Sequence, residues 1–503
     1  MTTLSTLVTP GNVLTAAGTQ APTNKDLTGS GNTFPVLGGA TGFVASGSIG
    51  NGATVGINAD GTVSVVAGVT EGAGTAVVFE SASSNYISAI YDANAQKVVI
   101  AYQDAGNSSY GTAIVGTVSG TSISFGTAVV FESASTDYIS TTFDSNSNKV
   151  VIAYRDNGNS SYGTAVVGTV SGTSISFGAP VVFASVDTPR ISATFDSNSN
   201  KVVVAYRDEG NSGYGTAIVG TVASTSISFG TAVVFESASI FTPSSAFDST
   251  NNKVVIAYTD AGNSFSGTAI VGTVSGTSIS FGTPVVFNIA QPLYVSATFD
   301  SNSNKVVIAY KDSGNSNYGT AIVGTVAGTS ISFGTAVVFE SASSEYISAT
   351  YDSNAQKVVI AYRDQGNSNY GTAIVGTVSG TSISFGTAVV FESANSNSMS
   401  AVYDANAQKV VIAYSDAGNS DYGTSVVFQN EGTNAPSYIG LSTQAVSDTD
   451  AVTVTTVAGI NESQTGLTPD TLYYVNDDGT LTATATNTYA GKAVSATELL
   501  VKG

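Results

Sequence analysis

Two sets of side chains in this chain have the types and spacing that chemistry needs. One is a recurring carboxylate: Glu80, Glu132, Glu236, Glu340 and Glu392 each close a copy of the phrase VVFE. The other is a run of cations and aromatics, Arg155, Tyr162, Asp187, Arg190, Arg207 and Tyr214. Paired carboxylates at a set separation hydrolyse glycosides. The recurring glutamates fall one per repeat, and the unique acids Asp187, Glu209, Glu345 and Asp421 fall in different repeats, so neither set makes an acid/base pair. The chain has no cysteine and no histidine. That removes thiolate nucleophiles, Cys-held metals, the usual general base near neutral pH and the commonest transition-metal ligand. The expectation is a binding protein, not an enzyme.

Arginine is the natural grip for an anionic group. The chain has four arginines, Arg155, Arg190, Arg207 and Arg363. Three of them stand in neighbouring repeats beside Tyr162 and Tyr214, and with Asp187 they read as a patch for an acidic or hydroxylated glycan. Phe241, Phe265, Tyr294, Lys311 and Arg363 occupy variable positions of later repeats and extend it. The plainer alternative is a scatter of solvated surface charges.

The elements that must position these residues come from a repeat. The phrase KVV(I/V)AY starts at Lys97, Lys149, Lys201, Lys253, Lys305, Lys357 and Lys409, always 52 residues apart. With 42% apolar and 10% charged letters, Thr/Ser/Val/Gly-rich and without helical stretches, the chain reads as all-β. Copies of this length point to the four-stranded blades of a propeller. In one copy strand A is residues 138–144, B is 149–156, C is 162–170 and D is 174–183. B reads apolar without alternation, as a strand buried on both faces does. Pro180 and Pro284 fall in D. Proline belongs on an edge strand, so D is outermost and A lines the channel.

Seven A–B–C triplets are present, but only six complete D strands follow them. The phrase GTAVVFES at 74–81 precedes the array and supplies the seventh, closing a seven-bladed ring. A solenoid is the alternative, but it wants distinct capping repeats. Closure brings both flanks together. The domain reading is an extended arm at 1–42, a small β-domain for attachment or oligomerisation from 43–73 plus 430–503, and a propeller at 74–429 inserted into it. Hairpins are expected at Asp60-Gly61 and at 476–479.

Comparison of the copies locates the variation. Asp92, Asp144, Asp196, Asp248, Asp300, Asp352 and Asp404 open a uniform A–B turn. The D–A loops (SSNY, SVDTPR, SIFT, QPLY, SSEY, NSNS) differ, as do the residues flanking the B–C loop Asp-x-Gly-Asn-Ser. Both loops emerge on one rim, where loops on a rigid scaffold carry function. A Ca2+ reading of Asp-x-Gly-Asn-Ser is weak, since one carboxylate per loop falls short of the roughly six to eight oxygens required. The same letters make an Asp-capped turn, and no cofactor is expected.

The net charge of −20 argues against nucleic acid and anionic membrane surfaces. No apolar run spans a bilayer, so no membrane insertion is expected. The N-terminus has no signal-peptide pattern. A virion protein released by lysis reconciles that with an extracellular composition.

The C-terminal flank carries Gly466-Leu467-Thr468-Pro469, Tyr473-Tyr474-Val475, Asp478-Gly479 and the run Ala493–Lys502. It resembles a small β-module of tailed-bacteriophage virion proteins, especially those of marine and cyanobacterial phages. Residues 43–66 look like its companion half, and Asp470 departs from the glycine frequent in that module. The resemblance implies a fibre, spike or decoration protein located on the virion. Its expected partners are other virion proteins, further copies of itself and a host surface polysaccharide. A glycan depolymerase is the remotest option.

Overall fold

The computed structural model describes residues 40–58, 61–433 and 438–501. Residues 1–39 of the arm expected at 1–42, Asp60 of the first hairpin and Lys502 lie outside them, and the arm's last residues, 40–42, belong instead to the strand Ala40–Val44. The described chain forms two units, one from the two flanks (up to Val69 and from Glu431) and one from Thr70–Asn430.

Within Thr70–Asn430 each 52-residue copy folds as an antiparallel sheet in the order A–B–C–D. In blade two, A pairs with B from Thr136↔Asp156 to Asp144↔Lys149. B then pairs with C along Val150↔Gly168 to Asp156↔Tyr162. The apolar B strands are fully buried, with Val150, Val151, Ile152, Ala153 and Tyr154 at 0% exposure. This is why they show no alternation. Strand D differs from its expected form. Its two halves, Ser174–Phe177 and Val181–Asp187, both pair with C, and Pro180 lies in the gap between them. The missing N–H therefore falls where the ladder is already interrupted.

The predicted D–A loops are not loops. In five places the outer strand of one blade runs straight into the inner strand of the next as a single 16-residue strand, for example Val129–Asp144. Its register shifts between Asp137 and Ser140. The crossings before blades three and five break at Thr188–Ile191 and Ile289–Gln291.

Ring closure follows the sequence expectation. Val77–Asp92 pairs with the last C strand through Ser425↔Val77, Thr424↔Val78, Gly423↔Glu80 and Tyr422↔Ser83. Gly72–Ala73 continues that edge against Phe428 and Gln429, so the propeller unit begins before residue 74. In the first blade the facing pair is Gly116↔Phe125, and a Cβ on Gly116 would stand 2.6 Å from Ile123 Cδ1. In the last blade the partners are exchanged: Phe428 sits on C and Ala73 on the borrowed strand. Either way one phenyl ring fills the outer core.

Blades are joined by buried aromatics. Each outer-strand phenylalanine meets the next blade's B-strand tyrosine, as in Phe79–Tyr102 at 5.2 Å and Phe131–Tyr154 at 5.2 Å. In five junctions that tyrosine donates its hydroxyl to the recurring glutamate, Tyr102 to Glu80 at 3.0 Å and Tyr154 to Glu132 at 2.9 Å among them. The glutamates are inter-blade acceptors. Burial raises the pKa of Glu80, Glu132, Glu236 and Glu340.

Besides a two-stranded pairing of Gly68–Val69 with Gly432–Thr433, the described part of the flank unit contains two five-stranded sheets. One interleaves both flanks, in the order Ala40–Val44, Ala451–Thr455, Tyr438–Ser442, Thr54–Ile57 and Val63–Val65. The other holds the recurring module letters. Leu467, Tyr473, Val475, Leu499 and Val501 share its core, and Tyr473 accepts the Thr468 amide at 2.9 Å. Asp470 has φ of +66°, the left-handed region that favours glycine, which accounts for glycine being frequent there.

Candidate functional site

The turn aspartates are structural. Asp92 accepts the amides of Asn94 and Ala95 at 2.9 Å, and its six counterparts do the same. In the Asp-x-Gly-Asn-Ser loop, Asp156 accepts from Gly158 and Asn159 at 3.0 and 3.1 Å, and Ser160 follows in the left-handed region. The carboxylate oxygen that the calcium reading needs is engaged with its own backbone. Among the described residues no group of three or more acidic side chains is gathered.

The rim away from the A–B turns is built from the start of strand A and the end of strand B, which face each other as in Asp137↔Arg155. One position at the start of A adopts positive φ in every blade: Tyr86, Tyr138, Arg190, Thr242, Tyr294, Tyr346 and Ser398, at 46° to 59°. Such strain concentrates where side chains are aimed for a purpose. Here all copies share the backbone and only the side chains differ. Because A is the innermost strand, these residues ring the channel mouth. The Tyr86 and Tyr138 rings meet at 5.2 Å, tilted by 59°, and Arg190 lies over Tyr138 at 5.3 Å. The Tyr294 and Tyr346 rings meet at 5.2 Å, tilted by 50°, and Arg363 lies over Tyr346 at 4.8 Å.

The sequence-nominated residues do not form one patch. Arg155 and Asp187 are brought together at 2.7 Å, and Arg155 also holds Asp137 at 3.1 Å. Burial alone would lower the Arg155 pKa, but the two carboxylates outweigh it and the net shift is upward. Tyr162 sits opposite Asp187 in the ladder, and Tyr214 opposite Ser239. Arg207 leaves this group. It pairs with Glu209 at 3.1 Å and covers Phe241 at 4.7 Å, with Phe265 next at 6.1 Å. Lys311 and Arg363 both hold Glu345, the lysine at 2.8 Å. Burial would raise the Glu345 pKa, but these cations overcome it and the net shift is downward. Lys311 thus ties blade five to blade six, Arg155 and Arg363 brace strands within their own blades, and only Arg190 of the rim arginines makes no ion pair among the described residues.

A cavity of about 400 Å³ opens elsewhere on this rim, lined by Asn85, Tyr86, Gln103, Asp137, Tyr346 and Ser398. It spans blades six, seven, one and two, across the closure seam. Gln103 donates to Asp137 at 2.9 Å and to the Thr136 carbonyl at 2.8 Å. Burial raises the Tyr86 pKa, with the Asp137 charge adding to it, so Tyr86 stays a neutral phenol. Sequence comparison missed these residues because Tyr86, Tyr138 and Tyr346 stand in near-identical YIS phrases. Attention to what differs passes over them. The usable signal was the residue that breaks the tyrosine series, Ser398.

No family model matches this chain, and no curated protein matches it. Among solved structures it is similar to the BP39L lectin of Burkholderia pseudomallei, at 11% identity and TM-score 0.51, covering 71% of this chain and 98% of that one. Weaker likenesses are to Cps50 (Swd1) of Myceliophteria thermophila (8% identity, TM-score 0.46, 71% and 100% covered) and AofleA of Arthrobotrys oligospora (12%, 0.40, 68% and 98%). At such identities the likeness is one of fold. This chain is an all-β propeller of 52-residue blades with the architecture of the BP39L lectin.

Proposed function

We propose that this protein is a noncovalent adhesin that binds surface glycan through the channel-mouth rim of its propeller. The observation that carries the reading is the seam cavity, where two tyrosines meet two amides, a carboxylate and a hydroxyl. The lining is mostly polar, and convergent polar groups beside aromatic rings are what fix a small ligand's orientation. The fold shared with a lectin agrees with it. The phage-like letters of the flanks, from Gly466-Leu467-Thr468-Pro469 to the Ala493 run, support placing it on a virion as a fibre or spike. There the flank unit would bind other virion proteins or further copies. Presentation of many copies would supply avidity. A host-glycan array probed with multivalent protein tests the adhesin reading, and immunogold labelling of particles tests the location. Binding to no glycan in multivalent form sinks the first, and absence of label from particles sinks the second.

One observation favours a second reading, a ligand-free decoration protein. The rim cations Arg155, Lys311 and Arg363 are engaged in ion pairs that brace the blades. A decoration protein would label the particle and bind no glycan.

A further inference from the structure

The repeat offers seven equivalent rim positions, yet they are not equally open. Five of the positive-φ residues are large, and two, Thr242 and Ser398, are small. The two gaps have different neighbours. Beside Thr242 stand Phe241 and Phe265, packed together and covered by Arg207, and the Thr242 hydroxyl meets that of Thr259 at 3.1 Å. The space is filled. Beside Ser398 the corresponding residues are Asn397, Asp421 and Ser415. Asn397 is drawn away to Arg363 at 2.5 Å, and Ser415 turns its hydroxyl to the Asp421 carbonyl at 3.2 Å. The cavity opens here, between Tyr346 on one side and Tyr86 on the other.

Resting on the adhesin reading, we infer that the propeller carries one sugar site rather than seven, at the Ser398 gap, and that its ligand is a neutral pyranose. Tyr86 and Tyr346 offer apolar ring surface with a polar tip. Asn85 offers an amide, Ser398 a hydroxyl, and Asp137 an acceptor suited to sugar hydroxyls, while Gln103 spends both its donors on Asp137 and the Thr136 carbonyl and holds that carboxylate in place. The lining itself holds no cation, and Arg155, the cation on its one carboxylate, is shared between Asp137 and Asp187. A carboxylate sugar would meet Asp137 and a chain of net charge −20. Specificity for a neutral sugar therefore comes from a lining whose one charged group is the Asp137 carboxylate, which repels an anion.

The gap residue supplies the test. Tyrosine already occupies this backbone position in four sister blades, at φ of 49° to 51°, so Ser398→Tyr fills the gap in a conformation the fold uses. Isothermal titration of the full chain with neutral hexosides and matched uronates should give about one site per chain for the neutral series. Ser398→Tyr should weaken binding by more than about tenfold, some 1.4 kcal/mol. Thr242→Tyr should bind as the parent does. Tyr86→Ala, at a residue 37% exposed, should also lose binding while keeping its melting temperature, which separates loss of the site from loss of the fold. A stoichiometry near seven, a preference for uronates, or parental binding by Ser398→Tyr overturns the assignment and leaves the adhesin reading standing. Failure of the parent to bind any glycan removes both.

Discussion

The hydroxyl oxygen of Ser400 accepts the backbone amide of Ala89 at 2.9 Å, across 311 positions of chain. It is one of seven such bonds. Ser88, Ser140, Ser192, Ser244, Ser296 and Ser348 take the amides of Thr141, Ala193, Ser245, Ala297, Ala349 and Ala401 at 2.9–3.0 Å. Each inner strand has one edge without a ladder partner, and the serine of the preceding blade satisfies it. The ring is thus tied at its centre as well as at its outer clasp.

Removing one tie should show in equilibrium unfolding. Ser400→Ala strands the Ala89 amide, and a partly buried unpaired donor costs about 1–3 kcal/mol. The urea midpoint should fall with an unchanged slope. An unaltered midpoint would show that water replaces the serine without cost.

The clasp makes a different prediction from the other outer strands. Phe79 and Phe235 occupy the same site in their blades and pack on Tyr102 and Tyr258. Either alanine variant should lose about 3–5 kcal/mol. Phe79 alone sits on a strand not covalently continuous with the blade it completes. Phe79→Ala should therefore also expose the last C strand and form higher oligomers in size-exclusion chromatography. Phe235→Ala should stay monodisperse, and equal behaviour of the two would refute the clasp.

Phe428 and Ala73 form a reciprocal pair. Phe428→Gly should open a cavity costing about 3–5 kcal/mol. Adding Ala73→Phe recreates the glycine–phenylalanine arrangement of Gly116 and Phe125. A double-mutant cycle should then show recovery of at least about 1 kcal/mol. Strict additivity in thermal melts would argue that the two sites are independent.

Acidification should stabilise the propeller before it harms it. Burial holds the pKa of Glu80, Glu132, Glu236 and Glu340 above the ordinary 4.5. The folded chain therefore binds these protons more tightly than the unfolded one, so stability falls as pH rises from that value through the raised ones. Glu345 runs the other way: its pKa is lowered by Lys311 and Arg363, and its contribution is lost only below 4.5. Melting temperature should thus rise as pH falls from neutral toward 4.5. Replacing the four glutamates with glutamine should flatten that rise; an equally steep profile would assign it to general relief of the −20 charge.

Much of this molecule is decided by its one-dimensional pattern. A 52-residue period without insertion forces identical blades, and the apolar KVVIAY run demands burial on both faces. Asp92 and its counterparts cap turns through neighbouring amides, and the surplus VVFES at 77–81 has one vacant edge to fill. These are local or counting constraints, so they read directly from the letters. The rim is different. That Arg155 meets Asp187, that Lys311 and Arg363 share Glu345, and that Ser400 reaches Ala89 depends on which side chains neighbouring strands and blades bring together. Charges look available in sequence because their partners lie 18 to 34 positions away. Ser398 looks like one more variable letter for the same reason. Only the curvature of the closed ring places it between Tyr346 and Tyr86, where a missing side chain becomes a cavity.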